Sequence, residues 1–465
     1  MLQTLIKPIL AILILFIPLY PKFPLQTIKG TYVAIRLDDI VVAIALLIWL
    51  LYQIKNRLPV FKIKITKLFL LYFLTICLST IHALLIFQTE PRHLLLLHLL
   101  RRFEYMSLFF LTLSAIKKPR HFPFVYTSLL ITTFLVCLYG YGQKYFKLPI
   151  ISTMNAEFSK GQLLQMEKWA RISSTFAGHY DLATYLSVAL IIIAGVIVTT
   201  KKTSIKIISL VSWLTAFHIL TLTASRISIM ALWGASAVTF VLLKKYLWIL
   251  PVSALIIFSM FTATDLNQRL IATLNSFSTK APQPTIVPSP PPPTIVSTKP
   301  TKPPLRKPTP LPTPLPTVIR HQTEEPQTVD LDAGVARSGE IRFKAEWPRA
   351  INAYKKNPLS GTGLGSITLA TDNDYLRLLG ESGILGFISL IAIIAWFVIK
   401  TIPSIRKKNR TSQDNLNLIF LGATFSFLAN AIFIDVFEAS KTAYTFWIMM
   451  GIYHQNILFP PNNAK

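Results

Sequence analysis

The sequence predicts an all-α, polytopic integral membrane protein of about twelve transmembrane helices, and three observations carry that expectation. Of 465 residues, 52% are hydrophobic and only 14% charged, with mean hydropathy +0.52; a soluble globular chain keeps about a quarter of its residues charged. The apolar residues fall in runs of roughly 17 to 25, the length that crosses a bilayer. Between these runs, short loops carry basic residues with no acid among them.

Taken in order, the apolar runs place spans at 5–20, 38–54, 68–89, 94–116, 122–142, 181–199, 207–223, 227–243, 247–263, 384–399, 414–434 and 442–458. The first run lacks a clean small-residue cleavage site and is followed by another span, which reads as a retained helix. Basic clusters at Lys55–Lys67, Lys117–Arg120, Lys201–Lys206, Lys244–Lys245 and Lys400–Arg410 each follow an even-numbered span. The positive-inside rule makes those loops cytoplasmic and puts both termini there too. The same rule accounts for 47 Lys plus Arg against 20 Asp plus Glu, a formal charge of +27. In a soluble protein that balance would suggest nucleic acid; here it implies no nucleic-acid partner. Cys77 and Cys137 sit inside spans, where a thiol behaves as a small hydrophobe.

Three regions follow: a membrane domain at 1–263, an extracytoplasmic loop at 264–383 and a second membrane portion at 384–465. Within the loop, 281–328 is a Pro/Thr-rich linker in which Pro-Thr-Ile-Val occurs at 284–287 and again at 293–296. Such a composition cannot bury a core and suits an extended spacer. The part at 336–383 reads instead as a helical segment of catalytic type. Ile341, Ala345, Ile351 and Tyr354 lie near helical spacing, Arg342, Glu346 and Arg349 form a polar stripe, and Pro348 starts a second helix or kinks the first.

Most acids fall on the outward side, among them Glu157, Glu167, Asp181 and Asp265. Gly361, Gly363 and Gly365 alternate in a loop, a pattern that serves a tight turn or lets backbone N–H groups approach a phosphate. Asp372, Asp374 and Glu381 stand at the outer boundary of the tenth span, where burial favours acid–base work and where a helix N-terminus also favours acids. Arg226 occupies the outward hinge between spans seven and eight, and Arg171 precedes span six together with His179. Either arginine can snorkel to the interface; with Arg342 they put three guanidiniums on one side of the membrane, suited to gripping a diphosphate. His98, Arg101, Arg102 and Glu104 form a charged group in span four that is either functional or a structural knot.

Four segments resemble the O-antigen ligase and O-antigen polymerase superfamily of bacterial membrane glycosyltransferases: 171–183, the Ser225–Arg226 pair, Arg342 through the glycines to Gly365, and Asp372-Asn373-Asp374-Tyr375-Leu376 through Gly386. The resemblance covers roughly 160–390. It implies transfer of a glycan from a polyprenyl diphosphate carrier to a glycan or lipid-linked acceptor, at the outer face of the bacterial cytoplasmic membrane, with no metal or other cofactor. It also implies that Arg171, Arg226 and Arg342 hold the diphosphate. The family's base is a His before Asn; Asp372 stands at that position here, with Asp374, Glu381 and His179 as alternates. A transporter or flippase of lipid-linked glycan, or a non-catalytic homologue, remains the competing reading.

Overall fold

The computed structural model describes residues 2–28, 34–87, 91–151, 163–165, 171–262, 341–368 and 370–459. The 281–328 linker, Glu157, Glu167, Asp265 and the first residues of the 336–383 segment lie outside the described residues. Among the described residues up to 262 the α-helices are α1 (Leu2–Leu19), α2 (Leu37–Lys55), α3 (Thr66–His82), α4 (Arg92–Ala115), α5 (Phe122–Phe146), α6 (His179–Thr199), α7 (Thr203–Leu222), α8 (Arg226–Leu242) and α9 (Ile249–Thr262). After them come a π-helical turn (Arg342–Glu346), α10 (Trp347–Lys356), α11 (Asp374–Arg406), α12 (Ser412–Asn430) and α13 (Ser440–Leu458). The strands among the described residues are a short antiparallel pair, Pro24–Thr27 with Ala34–Arg36.

A helix coincides with each of the twelve apolar runs. Six, namely α2, α3, α5, α6, α7 and α11, are long and apolar enough to cross a membrane, and α1, α8 and α9 contain shorter apolar stretches. The remaining three owe their lower hydropathy to polar groups turned toward other helices. Asn456 of α13 donates to Asn417 of α12 at 2.7 Å, Asn430 of α12 reaches Ser187 of α6 at 3.2 Å, and Arg102 of α4 is buried.

Helix α6 is apolar on every side and is the most enclosed of the six, with 83% of its apolar window buried; an all-round hydrophobic helix belongs inside. It packs against α7, α8 and α12, while α13 packs against α4 and α11 against α3. The outer helices show the opposite pattern. Leu70, Leu71, Leu74, Leu78 and Ile81 of α3, and Ile207, Ile208, Leu210, Val211 and Leu214 of α7, are exposed. In a helical chain, such ridges are satisfied by lipid.

One break sets the geometry of the site. Gly383 interrupts α11 with φ 65° and ψ −171°, so that Asp374–Ser382 is set off from the apolar length beyond. That break falls one residue before the start expected for the tenth span. The chain at 357–365 fills the corner: Ile384 N donates to Pro358 O at 2.9 Å and Leu385 N to Leu359 O at 3.2 Å. A Cβ on Gly383 would lie 2.4 Å from the Leu359 carbonyl oxygen, which leaves room only for glycine.

Candidate active site

Arg171 heads a segment that the bundle holds firmly. Gln143 of α5 pins Ser174 from both sides, accepting from its N–H at 2.8 Å and donating to its carbonyl at 2.9 Å. Lys441, fully buried at the start of α13, donates to Thr175 O at 2.7 Å and Pro18 O at 3.0 Å and lies over the Phe176 ring. These ties fix Arg171 against the first turn of α6, where its Nη1 is 2.5 Å from His179 Nε2.

The next residue, Tyr180, gathers the site. Its hydroxyl hydrogen-bonds with both Arg171 and Arg342, and Arg226 is an electrostatic neighbour of Tyr180, Arg171 and Arg342 alike. Three guanidiniums from well-separated stretches therefore converge at one end of the bundle. Arg226 gets there as the first residue of α8, after a turn in which Ala224 takes φ 50°. Its helix start is braced by Ser225 donating to Ser228 at 3.0 Å and Ser228 to Asn430 at 2.7 Å. Arg342 opens the π-helical turn, and such turns recur at functional sites.

Asp372 completes the group. Its Oδ2 accepts from Arg342 Nε at 2.9 Å and Nη2 at 2.7 Å. Burial raises the Asp372 pKa, and nearby Asp435 adds to this, so the Arg342 guanidinium offsets the rise only in part. Glu346, one turn along from Arg342, is pushed up to about 7, chiefly by burial and then by Asp372. The backbone at Asp372 is left-handed, with φ 49°; among non-glycine residues Asp, Asn and His are those enriched there. Asp435 holds this strained loop, accepting from Thr371 N at 2.8 Å and Asn373 N at 3.2 Å. Asn373 then caps α11 by accepting from Leu376 N at 2.9 Å.

Asp374 and Glu381 belong elsewhere. Two residues past Asp372 the chain is helical, and Asp374 turns inward to accept from Phe437 N at 3.0 Å. Glu381 is paired with Arg377 at 3.4 Å, and Arg377 with Asp435 at 3.1 Å, all beside the pair of buried Arg102 with half-buried Glu438. These acids form an internal ionic network and are not placed as alternates to Asp372. The charged group of α4 resolves the same way: Arg102 meets Glu438 rather than Glu104, and Arg101 lies 3.8 Å from Asp39.

The glycines also differ from the phosphate-cradle expectation. Gly361 N donates to Asn357 O and Gly363 N to Glu381 O, each at 2.9 Å, and Gly365 N reaches the Glu381 carboxylate. With their amides engaged inside the chain, these residues serve packing: a Cβ on Gly361 would lie 2.4 Å from the Glu381 carbonyl, and one on Gly365 would strike the His98 ring.

Sequence reading missed Tyr180, Asp435, Glu438 and Lys441. The available signals were a tyrosine directly after His179 at a helix start and three charged residues in or beside the short connection between the last two spans.

The architecture and the site together define a helical integral membrane protein that concentrates guanidinium groups at one end of its bundle. Residues 210–391 match the family described as O-antigen ligase. This match to part of the chain supports the likeness to the O-antigen ligase and polymerase superfamily and a glycosyltransferase-like role in surface polysaccharide biosynthesis. That match takes in Arg226, Arg342 and Asp372 and ends before Asp435; Arg171 and Tyr180 precede it. No curated protein matches the chain.

Proposed function

We propose that the protein transfers a glycan from a polyprenyl diphosphate carrier to a hydroxyl of a glycan or lipid-linked acceptor, without a metal. It works at the outer face of a bacterial cytoplasmic membrane, with both termini in the cytoplasm and 264–383 outside. The observation that carries this reading is the meeting of Arg171, Arg226 and Arg342 at Tyr180, with Asp372 bonded to one of them. Three guanidiniums against one carboxylate leave two positive charges over, a match for a diphosphate.

In the reaction, Asp372 takes the proton of the acceptor hydroxyl as its oxygen attacks the anomeric carbon. The bond from that carbon to the diphosphate oxygen breaks with its electron pair, and the arginines stabilise the charge that collects on the departing carrier. Displacement from the opposite face inverts the anomeric centre, and the proton ends on Asp372. The raised pKa of Asp372 suits a base better than an ordinary carboxylate would. Arg342 links the two functions, since it holds the base and faces the leaving group.

The experiment is transfer by the purified protein in lipid, supplied with polyprenyl diphosphate-linked oligosaccharide. The Asp372→Asn variant should lose turnover while retaining donor binding; full turnover would remove Asp372 from the mechanism. A ladder of lengthened products marks polymerisation, a single addition to an acceptor marks ligation, and intact donor carried across the vesicle would replace the transferase reading with transport.

A further inference from the structure

A cavity opens beside α10 and the π-helical turn that carries Arg342. It encloses about 410 Å³, with Lys344, Arg349, Asn352 and Lys356 along α10 and its preceding turn on one wall and Thr362 and Ser366 on the other. That volume falls in the range of about 300–1,000 Å³ usual for small-molecule sites. Every charged side chain in the lining is cationic. Arg349 lines this cavity, and its Nη1 has no hydrogen-bond acceptor among the described residues. Opposite it the hydroxyls of Thr362 and Ser366 are hydrogen-bonded to each other at 2.7 Å.

We propose that this cavity is a subsite for an acidic sugar, one bearing a carboxylate, in the acceptor glycan. The inference rests on the glycan-transfer reading above. A guanidinium flanked by two lysines suits a carboxylate, and an amide with two hydroxyls suits the hydroxyls of a sugar ring. The acceptor is the partner favoured because the same helical stretch carries Glu346, which interacts electrostatically with both Arg349 and Asp372, the group that takes the acceptor's proton. A glycan whose terminal hydroxyl meets Asp372 would run its next residues along α10.

The test uses the full-length protein in nanodiscs of zwitterionic lipid and two tetrasaccharides that differ only in one residue, glucuronate or glucose. The wild type should bind the acidic one about tenfold more tightly, the discrimination expected of one charge-assisted contact. Arg349→Gln should remove most of that preference, and Lys356→Gln, at an exposed position, should reduce it by a smaller factor. Equal binding of the two sugars overturns the proposal, as does a preference that survives both substitutions. If the substitutions instead lower retention of added phosphatidylglycerol and leave sugar binding unchanged, the face is a lipid contact and the proposal fails. Arg226→Ala separates the two readings: it should lower transfer about 10²–10³-fold and keep the acid preference. Acid-selective binding by a protein that transfers nothing would refute the transferase and leave the subsite standing, whereas transfer with no acid preference would do the reverse.

Discussion

Two clusters of arginine and carboxylate lie near one another and are built to opposite ends. In the closed one, Arg102 and Arg377 are buried among Asp374, Glu381, Asp435 and Glu438, so acids outnumber cations and the ion pairs run from helix to helix. In the open one, Arg171, Arg226 and Arg342 meet around Tyr180 with Asp372 as the carboxylate bonded to Arg342, and cations outnumber acids. A low-dielectric interior demands that each buried guanidinium meet a carboxylate; a site for an anionic ligand must keep cationic charge over until the ligand arrives. Residue type alone does not separate structure from function here. The ratio of charges and their enclosure does.

The largest effect should come from breaking the closed cluster. Arg377→Ala strands Asp435 and Glu381 without their partner, and removal of one member of a buried pair costs about 3–5 kcal/mol. Thermal unfolding in detergent should show the loss, and transfer should fall only in proportion to the folded protein that remains. Arg226→Ala is the counterpart in the open cluster. Transfer should drop about 10²–10³-fold, the scale for losing one group that stabilises leaving-group charge, with thermal unfolding close to wild type. If the two variants exchanged behaviours, the division into closed and open clusters would be wrong.

A smaller stability effect tests the glycine segment. Gly361→Ala imposes a side chain at φ 73° with its Cβ 2.4 Å from the Glu381 carbonyl. We expect about 1–3 kcal/mol of destabilisation, the scale of a residue forced into an unfavourable backbone region. Affinity for the lipid-linked donor in the folded fraction should not change. A selective loss of donor affinity would restore the phosphate-cradle role.

Helix positions were legible because bilayer thickness fixes run length, so even the apolar run expected to begin at 384 starts beside the Gly383 break. The arginines were legible because each stands at a helix end on the same side. The partition of the acids was not. Asp372, Asp374 and Glu381 are close in sequence, but the helix begins between the first two and rotates the others inward. Arg102 finds Glu438 across 336 positions of sequence, a contact that no local spacing announces. Tyr180 reads in sequence as an ordinary interfacial aromatic; its role depends on two arginines that only the tertiary fold delivers.

The mildest perturbation exchanges the base rather than deleting it. A base works when deprotonated, so turnover is complete above its pKa and falls as pH drops through it. Because burial raises the Asp372 pKa, the acid limb of kcat/KM should lie above the ordinary carboxylate range. Asp372→His should retain activity to within about tenfold of wild type, since His is tolerated in the left-handed region, and its acid limb should move toward the imidazole range near 6.5. Glu346→Gln guards against misassignment, because burial pushes the Glu346 carboxyl up to about 7 and its removal should leave the limb in place. Stability gives an independent sign. A carboxyl whose folded pKa exceeds its unfolded one binds its proton more tightly when folded, so the Glu346 contribution improves as pH falls from about 7 toward the ordinary carboxylate range. Activity should therefore decline over an interval in which this group makes the fold more stable, and an acid limb that instead tracked unfolding would deny Asp372 the role of base.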